Sequence, residues 1–305
     1  MTVKRIGFAY NPTIEAAVEL SARAAGWCQM RGIGEWQLPA GDRTGLVGEL
    51  ATTDALVVLG GDGTFLRAAM AVVDVDVPIL GINLGKVGFL SKAEASELDA
   101  VLGLIVAGDY RLEERMALEG RILHGGPAGG GSAGDGPGDG PGDGQGDGPG
   151  GGMVGERLVA LNDVVVARGA LARVCRLDVA IDDAHLGTFI ADGLVVASPT
   201  GSTGYSFSAG GPILDPSARN LIVTPIAAYL SAIRSVVVGP DQVVRCAVID
   251  AVEALVSVDG REDLPLQVGD IVEVRAIDRP IRLLEPLGAQ PFWDLLRRKV
   301  ALLPS

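Results

Sequence analysis

Histidine and cysteine are scarce in this chain: His124 and His185 are its only imidazoles, and Cys28, Cys175 and Cys246 its only thiols. Both histidines fall in turn-like stretches and read as solvated bystanders, which removes most mechanisms that depend on an imidazole base. The cysteines show no C-x-x-C spacing, so neither a zinc site nor a disulfide framework is suggested, and a reducing cytoplasm is the simplest compartment. No apolar run is long enough to cross a bilayer, and Met1 to Arg5 leads directly into a strand-like segment, so the mature protein is expected to be the whole chain. Aromatic residues make up only 4% of the sequence, against 48% hydrophobic residues in all, which implies a core of Val, Leu, Ile and Ala in an α/β enzyme rather than a small stapled fold. Basic residues are in deficit, and the net charge of -13 argues against general affinity for nucleic acid or an anionic membrane. Any phosphate site must therefore be local. The Walker A spacing and the G-x-G-x-x-G fingerprint are both missing, which excludes a P-loop ATPase and a standard dinucleotide-binding dehydrogenase.

What is present begins as alternating strands and helices. Ile6 to Tyr10 reads as a buried strand and Thr13 to Ala25 as a helix that Gly26 is positioned to stop. Ala55 to Leu59 is a buried strand ending in Gly60-Gly61, Phe65 to Val73 suits a helix, and Pro78 to Ile82 supplies another strand. This pattern predicts an α/β domain with a parallel sheet over residues 1–112, its loops gathered at one edge. After Arg115 short strands follow one another at Arg121 to Leu123, Val159 to Ala167, Arg176 to Ile181, Leu194 to Ala197, Val243 to Ile249, Ala254 to Val258 and Ile271 to Ala276, giving a β-rich domain over 113–285. Within it, 125–152 is almost wholly Gly, Pro, Asp, Ser and Ala; it cannot bury enough apolar surface to offset its ordering entropy and is expected to be a disordered insertion. Phe292 to Leu302 reads as an amphipathic helix, and 286–305 is expected to cross back onto the first domain.

Two stretches carry chemistry. In Gly60-Gly61-Asp62-Gly63-Thr64 the glycines let the chain turn tightly and a polyphosphate approach the amides, with the next helix N-terminus adding favourable partial charge. Asp62 could hold Mg²⁺ or accept a proton from an attacking hydroxyl. Gly-Asp-Gly is also ordinary turn chemistry, so the loop alone decides little. The second stretch runs from Asp192 through Ser198-Pro-Thr200-Gly-Ser-Thr203-Gly-Tyr205 to Pro212. Small hydroxyl residues among glycines suggest a concave, donor-rich surface for a ribose, an adenine edge or a phosphate, with Tyr205 available to cover a base.

Together with Asn83-Leu-Gly-Lys-Val-Gly-Phe-Leu90 and Leu161-Asn162-Asp163, in this order along the chain, these motifs resemble the NAD kinase family. Gly-Gly-Asp-Gly-Thr alone is shared with diacylglycerol and sphingosine kinases; the Asp192 to Pro212 block is far more discriminating. The resemblance covers nearly everything except 125–152. It implies an α/β N-terminal domain, a β-rich C-terminal domain, NAD bound between them, and homodimers or homotetramers. It implies transfer of the terminal phosphoryl group of ATP or polyphosphate, with Mg²⁺ or another divalent cation, to the adenosine ribose 2'-hydroxyl of NAD.

Carried over by position, the resemblance makes Asp62 the catalytic carboxylate, with Gly61, Gly63 and Thr64 shaping the phosphate loop. Phe89 would lie against the adenosine half of NAD, Asn162 and Asp163 would hold ribose hydroxyls, and Thr200, Thr203 and Tyr205 would line the adenine and ribose pocket. Asp192 would contact the dinucleotide, from a neighbouring subunit in one arrangement. Arg67 and Lys86 are nearby cations suited to phosphate contact. The sequence departs from the family at Asp163, where Glu is usual, at Gly204, where Ala is usual, and at Ala227-Ala228-Tyr229, where Cys-Pro-His is usual. Two rivals remain at this stage: a lipid kinase of the diacylglycerol kinase type, which leaves the Asp192 block without a role, and a non-catalytic NAD or NADP sensor.

Overall fold

The computed structural model describes residues 3–85, 88–125, 154–170 and 173–301. The insertion expected to be disordered lies, apart from Gly125, outside the described residues, as does Lys86.

The first unit alternates as its sequence pattern requires: β1 (Arg5–Tyr10), α1 (Glu15–Gln29), β2 (Gly34–Pro39), α2 (Arg43–Leu50), β3 (Ala55–Leu59), α3 (Asp62–Val72), β4 (Ile79–Asn83), β5 (Ser91–Glu94), α4 (Leu98–Ala107) and β6 (Tyr110–Arg115). β3 and β4 are buried along their whole length, which is why they read as unbroken apolar runs: helices cover both faces of a parallel sheet. α1 does not stop at Gly26 but continues to Gln29, because Trp27 and Cys28 reach the core and their burial outweighs the roughly 1 kcal/mol helix cost of glycine. α3 starts three residues earlier than Phe65, taking Asp62 and Gly63 into its first turn.

The second unit comprises β7 (Leu118–Leu123), β8 (Val154–Ala160), β9 (Asp163–Arg168), β10 (Cys175–Ile181), β11 (Ala184–Ala191), β12 (Gly193–Ala197), a 3-10 turn at Thr200–Thr203, the single-turn α5 (Tyr205–Ser208), β13 (Leu221–Ile226), β14 (Val236–Val238), β15 (Val244–Asp250), β16 (Ala254–Val258), β17 (Glu262–Leu266) and β18 (Ile271–Ala276). Two antiparallel six-stranded sheets, β11-β10-β15-β18-β7-β8 and β14-β13-β12-β9-β16-β17, enclose a common core that includes Leu118, Leu177, Val179 and Val272 from one and Val164, Val166, Val196 and Val256 from the other. Strand alternation turns Val165, Val195 and Ala197 to the opposite face, where Ala209 and Leu214 of the glycine-rich block cover them.

The chain then returns. β19 (Ile281–Pro286) enters the first sheet between β4 and β6, giving the order β2-β1-β3-β4-β19-β6 with β5 beside β4. That sheet therefore extends past residue 112 and takes the chain back at 281, before the terminal helix α6 (Phe292–Ala301) that was expected to make the crossing. No helix among the described residues is long and apolar enough to cross a membrane.

Candidate active site

Asp62 is the first residue of α3, not a free loop residue, and its carboxylate is held by a second segment. The Phe89 amide donates to Oδ2 (3.1 Å) and the Leu90 amide to Oδ1 (3.3 Å). The chain can approach so closely only because residue 88 is glycine; a Cβ there would overlap the carboxylate. Each oxygen keeps lone-pair capacity for a further partner. Gly61 caps the helix without a side chain, and its carbonyl accepts from the Thr64 (2.9 Å) and Phe65 (3.1 Å) amides. The helix end thus offers partial positive charge beside Asp62.

Val159 to Ala167, expected as one strand, is broken at Leu161-Asn162 into β8 and β9. The Asp259 carboxylate breaks it by accepting three consecutive amides, from Leu161 (3.0 Å), Asn162 (2.8 Å) and Asp163 (3.1 Å), while the Asp259 amide donates to the Asp163 carbonyl (3.0 Å). Leu161 packs into the same core as Phe65, Leu66 and Met70 of α3, which brings the Asn162-Asp163 turn to the helix that carries Asp62. The glycine-rich block rests on that turn. The Ser198 amide donates to the Asn162 carbonyl (2.8 Å) and the Ser198 hydroxyl to the Leu161 carbonyl (2.5 Å). Gly201 lies so close to Asn162 that a Cβ would collide with its carbonyl.

The block is less donor-rich toward solvent than its composition suggested. Ser198, Ser202 and Ser206 are fully buried, and the Ser202 hydroxyl donates to the Pro199 carbonyl (2.6 Å) while accepting from the Leu214 amide (3.1 Å). The Ser198 and Ser202 hydroxyls build the loop, the Ser206 hydroxyl is buried with no hydrogen-bond partner among the described residues, and half-buried Thr203 donates to the Thr200 carbonyl (3.4 Å), which leaves Tyr205 facing outward at 46% exposure. Asn162, Asp163, Val165, Ala167, Tyr205, Ser257, Asp259 and Gly260 line a cleft of about 400 Å³.

Asp163 is 6% exposed. Burial, and secondarily the Asp259 carboxylate, push its acid up to about 7. Burial raises Asp259 as well, against the pull of its three amides and Arg261. Because the folded value of Asp163 lies above the ordinary carboxylate value of about 4, the folded chain holds a proton that the unfolded chain releases between those pH values. The associated stability is complete below pH 4 and disappears as pH rises through about 7. Asp163→Asn should remove this dependence, so that urea unfolding at pH 5 and pH 8 separates wild type from variant by on the order of 3 kcal/mol. Parallel curves for the two proteins would contradict it.

The remaining expected residues are spread more widely. Phe89 packs on the terminal helix, with its ring 5.9 Å from Phe292 and the Lys299 ammonium 4.9 Å from its centre. Asp192 pairs with Arg168 (2.7 Å) at the far end of β12 from Thr200, separated by the strand's five residues, roughly 16 Å. The structure thus brings Asp62 and Phe89 together, and Asn162, Asp163, Thr200, Thr203 and Tyr205 together, while Asp192 stands apart. Tyr229 is 69% exposed and lines none of these surfaces. The histidines pair with carboxylates elsewhere, His124 with Asp270 and His185, which lies in β11 rather than a turn, with Asp178.

Sequence reasoning missed Arg115, used there only to mark a change of pattern. It is 2% exposed, donates to the Thr200 hydroxyl (3.3 Å) and pairs with Glu113 (3.0 Å), which also meets Lys92 (2.8 Å). Lys92 reaches Glu285 on β19 in turn (3.0 Å). This buried ionic chain ties the first sheet to the nucleotide-binding candidate loop. Glu113 and Arg115, two apart on β6, were a legible sign that opposite charges share a strand face.

Comparison with known proteins agrees with this architecture. The family model for the ATP-NAD kinase N-terminal domain matches residues 6–110 and that for the C-terminal domain matches 161–285. The NAD kinase of Heliobacterium modesticaldum is 37% identical over 308 residues, covering 97% of this chain and 98% of that protein. The NAD kinase of Moorella thermoacetica is 40% identical over 253 residues, covering 83% and 72%. Among solved structures, yeast NADH kinase complexed with NADH superposes with a TM-score of 0.78 at 21% identity, covering 100% of this chain and 89% of that one. An Archaeoglobus fulgidus NAD kinase in complex with ATP gives 0.70 at 22%, covering 97% and 98%. Matched by both domain models in order and by relatives along nearly its full length, this chain belongs to the NAD kinase family.

Proposed function

We propose that the protein is an NAD kinase that transfers the terminal phosphoryl group of ATP to the adenosine ribose 2'-hydroxyl of NAD. The observation that carries this reading is the meeting of the two motif groups in one core: Leu161, beside the Asn162-Asp163 turn, shares a buried cluster with Phe65, Leu66 and Met70 of the helix whose first residue is Asp62. In the reaction the 2'-oxygen forms a bond to the terminal phosphorus as the bond to the leaving ADP oxygen breaks. The hydroxyl proton passes to Asp62, and the amides of Phe89 and Leu90 keep that carboxylate aimed. Gly61, Gly63 and Thr64 shape the phosphate end; Asn162 and Asp163 hold ribose hydroxyls; Thr200, Thr203, Tyr205 and Phe89 border the adenosine.

Among the described residues no three His, Cys, Asp or Glu side chains converge on a metal position, which suits an ion that arrives on the donor's phosphates. Such a divalent cation would neutralise charge on the phosphates, with Asp62 as a protein carboxylate able to reach it. The distance between Asp192 and Thr200 favours an assembly, dimer or tetramer, in which Asp192 serves a neighbour's NAD. The cytoplasm, where NAD and ATP are both plentiful, is the proposed compartment.

Incubation with NAD, ATP and Mg²⁺, read by an NADP-specific dehydrogenase, should give NADP only when all three are present. NAD binding without NADP formation would leave a sensor; activity on a lipid alcohol and none on NAD would leave a lipid kinase.

A further inference from the structure

The terminal helix α6 leaves a cavity of about 480 Å³ between itself, α4 and β5, and none of Asp62, Asn162, Thr200, Thr203 and Tyr205 lines it. One wall is apolar, built from Phe89, Val101, Leu104, Phe292 and Leu295. The opposite wall holds Ser91, Lys92 and Arg115, each less than a tenth exposed. Ser91 Oγ and Arg115 Nε have no hydrogen-bond partner among the described residues. A buried donor left unpaired lowers the stability of the fold, so two of them on one cavity wall point to a ligand that supplies the acceptor. The carboxylates nearby are already engaged. Glu113 and Glu285 pair with Lys92, and Glu94 and Glu97 at the rim accept each other's backbone amides. Arg298, exposed at the rim, makes no hydrogen bond or ion pair among the described residues.

We propose that this cavity is a second binding site, which takes a small organic carboxylate with an apolar body. The carboxylate accepts from Arg115 Nε–H and the Ser91 hydroxyl and is faced by Arg298, while the body lies against Phe89, Leu104 and Phe292. The unpaired groups can all donate and the wall facing them is apolar, which favours an anion with a hydrophobic side over a phosphate or a sugar. The Arg115 guanidinium also donates to the Thr200 hydroxyl (3.3 Å), so this site and the loop assigned to the adenosine share one side chain and hold different occupants. The proposal stands apart from the kinase reading, because none of its contacts involves NAD or the phosphoryl donor.

The probe is benzoate titrated calorimetrically into the full chain, with benzamide as a neutral molecule of the same shape. Benzoate should saturate with a Kd on the order of 1 mM or tighter, and benzamide should bind at least about tenfold more weakly. Ser91→Ala removes an unpaired hydroxyl, so its thermal midpoint should hold or rise while benzoate weakens roughly fivefold. Arg298→Ala, at an exposed position, should weaken benzoate about threefold, and the two changes together more than about tenfold. Ala100→Trp, exposed on the cavity wall, should fill the space and abolish binding with little change in midpoint. Benzoate and NAD should bind at the same time. Four results overturn the proposal: no saturable benzoate binding up to about 20 mM, equal affinity for benzamide, unchanged affinity in the Ser91→Ala/Arg298→Ala protein, or mutual exclusion with NAD, which would make the cavity part of the nucleotide site.

Discussion

Asp62→Asn should lower turnover at least about a hundredfold while leaving NAD affinity within a few fold, because it removes the proton acceptor and its charge but little volume. The geometry adds a second signature. Both oxygens of Asp62 accept backbone amides, from Phe89 and Leu90, and an asparagine can match only one of them. Its own NH₂ would face the other N–H, so the Gly88–Leu90 segment should lose one anchor and the thermal midpoint should fall slightly. Steady-state kinetics with ATP and NAD, together with a melting curve, read both effects. Near-normal turnover would remove Asp62 from the chemistry, and an unchanged midpoint would show that its amide contacts carry no stability.

The second large effect is expected at Gly201. Its missing Cβ leaves room for the Asn162 carbonyl, a backbone atom that cannot swing aside, so Gly201→Ala must push the glycine-rich block off the Asn162-Asp163 turn. Overpacking of a fixed contact costs about 1–3 kcal/mol, and here the shift falls on the surface assigned to the ribose, so NAD binding should weaken at least about tenfold. Gly204→Ala is the internal control. It restores the residue usual in the family, its Cβ would meet only the Gly201 carbonyl at 3.3 Å, and its φ of -98° lies outside the left-handed region. Calorimetric titration of NAD into the two variants should therefore diverge; equal loss in both would show that the block is simply intolerant of added carbon.

The sheet strands of the first unit were legible because burial on both faces writes an uninterrupted apolar run, as in Ala55–Leu59. The paired motifs were legible because glycine clusters mark places where backbone must come close, and Gly88 and Gly201 are such places. What escaped depends on partners distant in sequence. The break at Leu161-Asn162 is made by Asp259, almost a hundred residues on, and the local pattern of valines gave no hint of it. Arg115 reads as a surface residue until Thr200 and Glu113 are seen around it. A cleft lined by Arg43, Arg67, Arg157 and Arg261 likewise gathers residues none of which is near another in the chain.

The position of β19 bears on how the protein comes into being. Among the described residues β6 has β19 as its only strand partner, antiparallel from Ile281–Arg115 to Pro286–Tyr110, and β19 touches β4 on its other side. On the ribosome, β1 to β5 emerge early, yet β6 has nowhere to add until the chain has been made through residue 286. The antiparallel sandwich, by contrast, is spelled out between Leu118 and Ala276 and closes on itself. Vectorial synthesis therefore favours an order in which the sandwich folds as an inserted unit and its closure delivers β19 to the waiting first sheet. The Lys92–Glu285 ion pair forms only at that last step, so the ionic chain that reaches Thr200 is completed when the two halves of the molecule lock together.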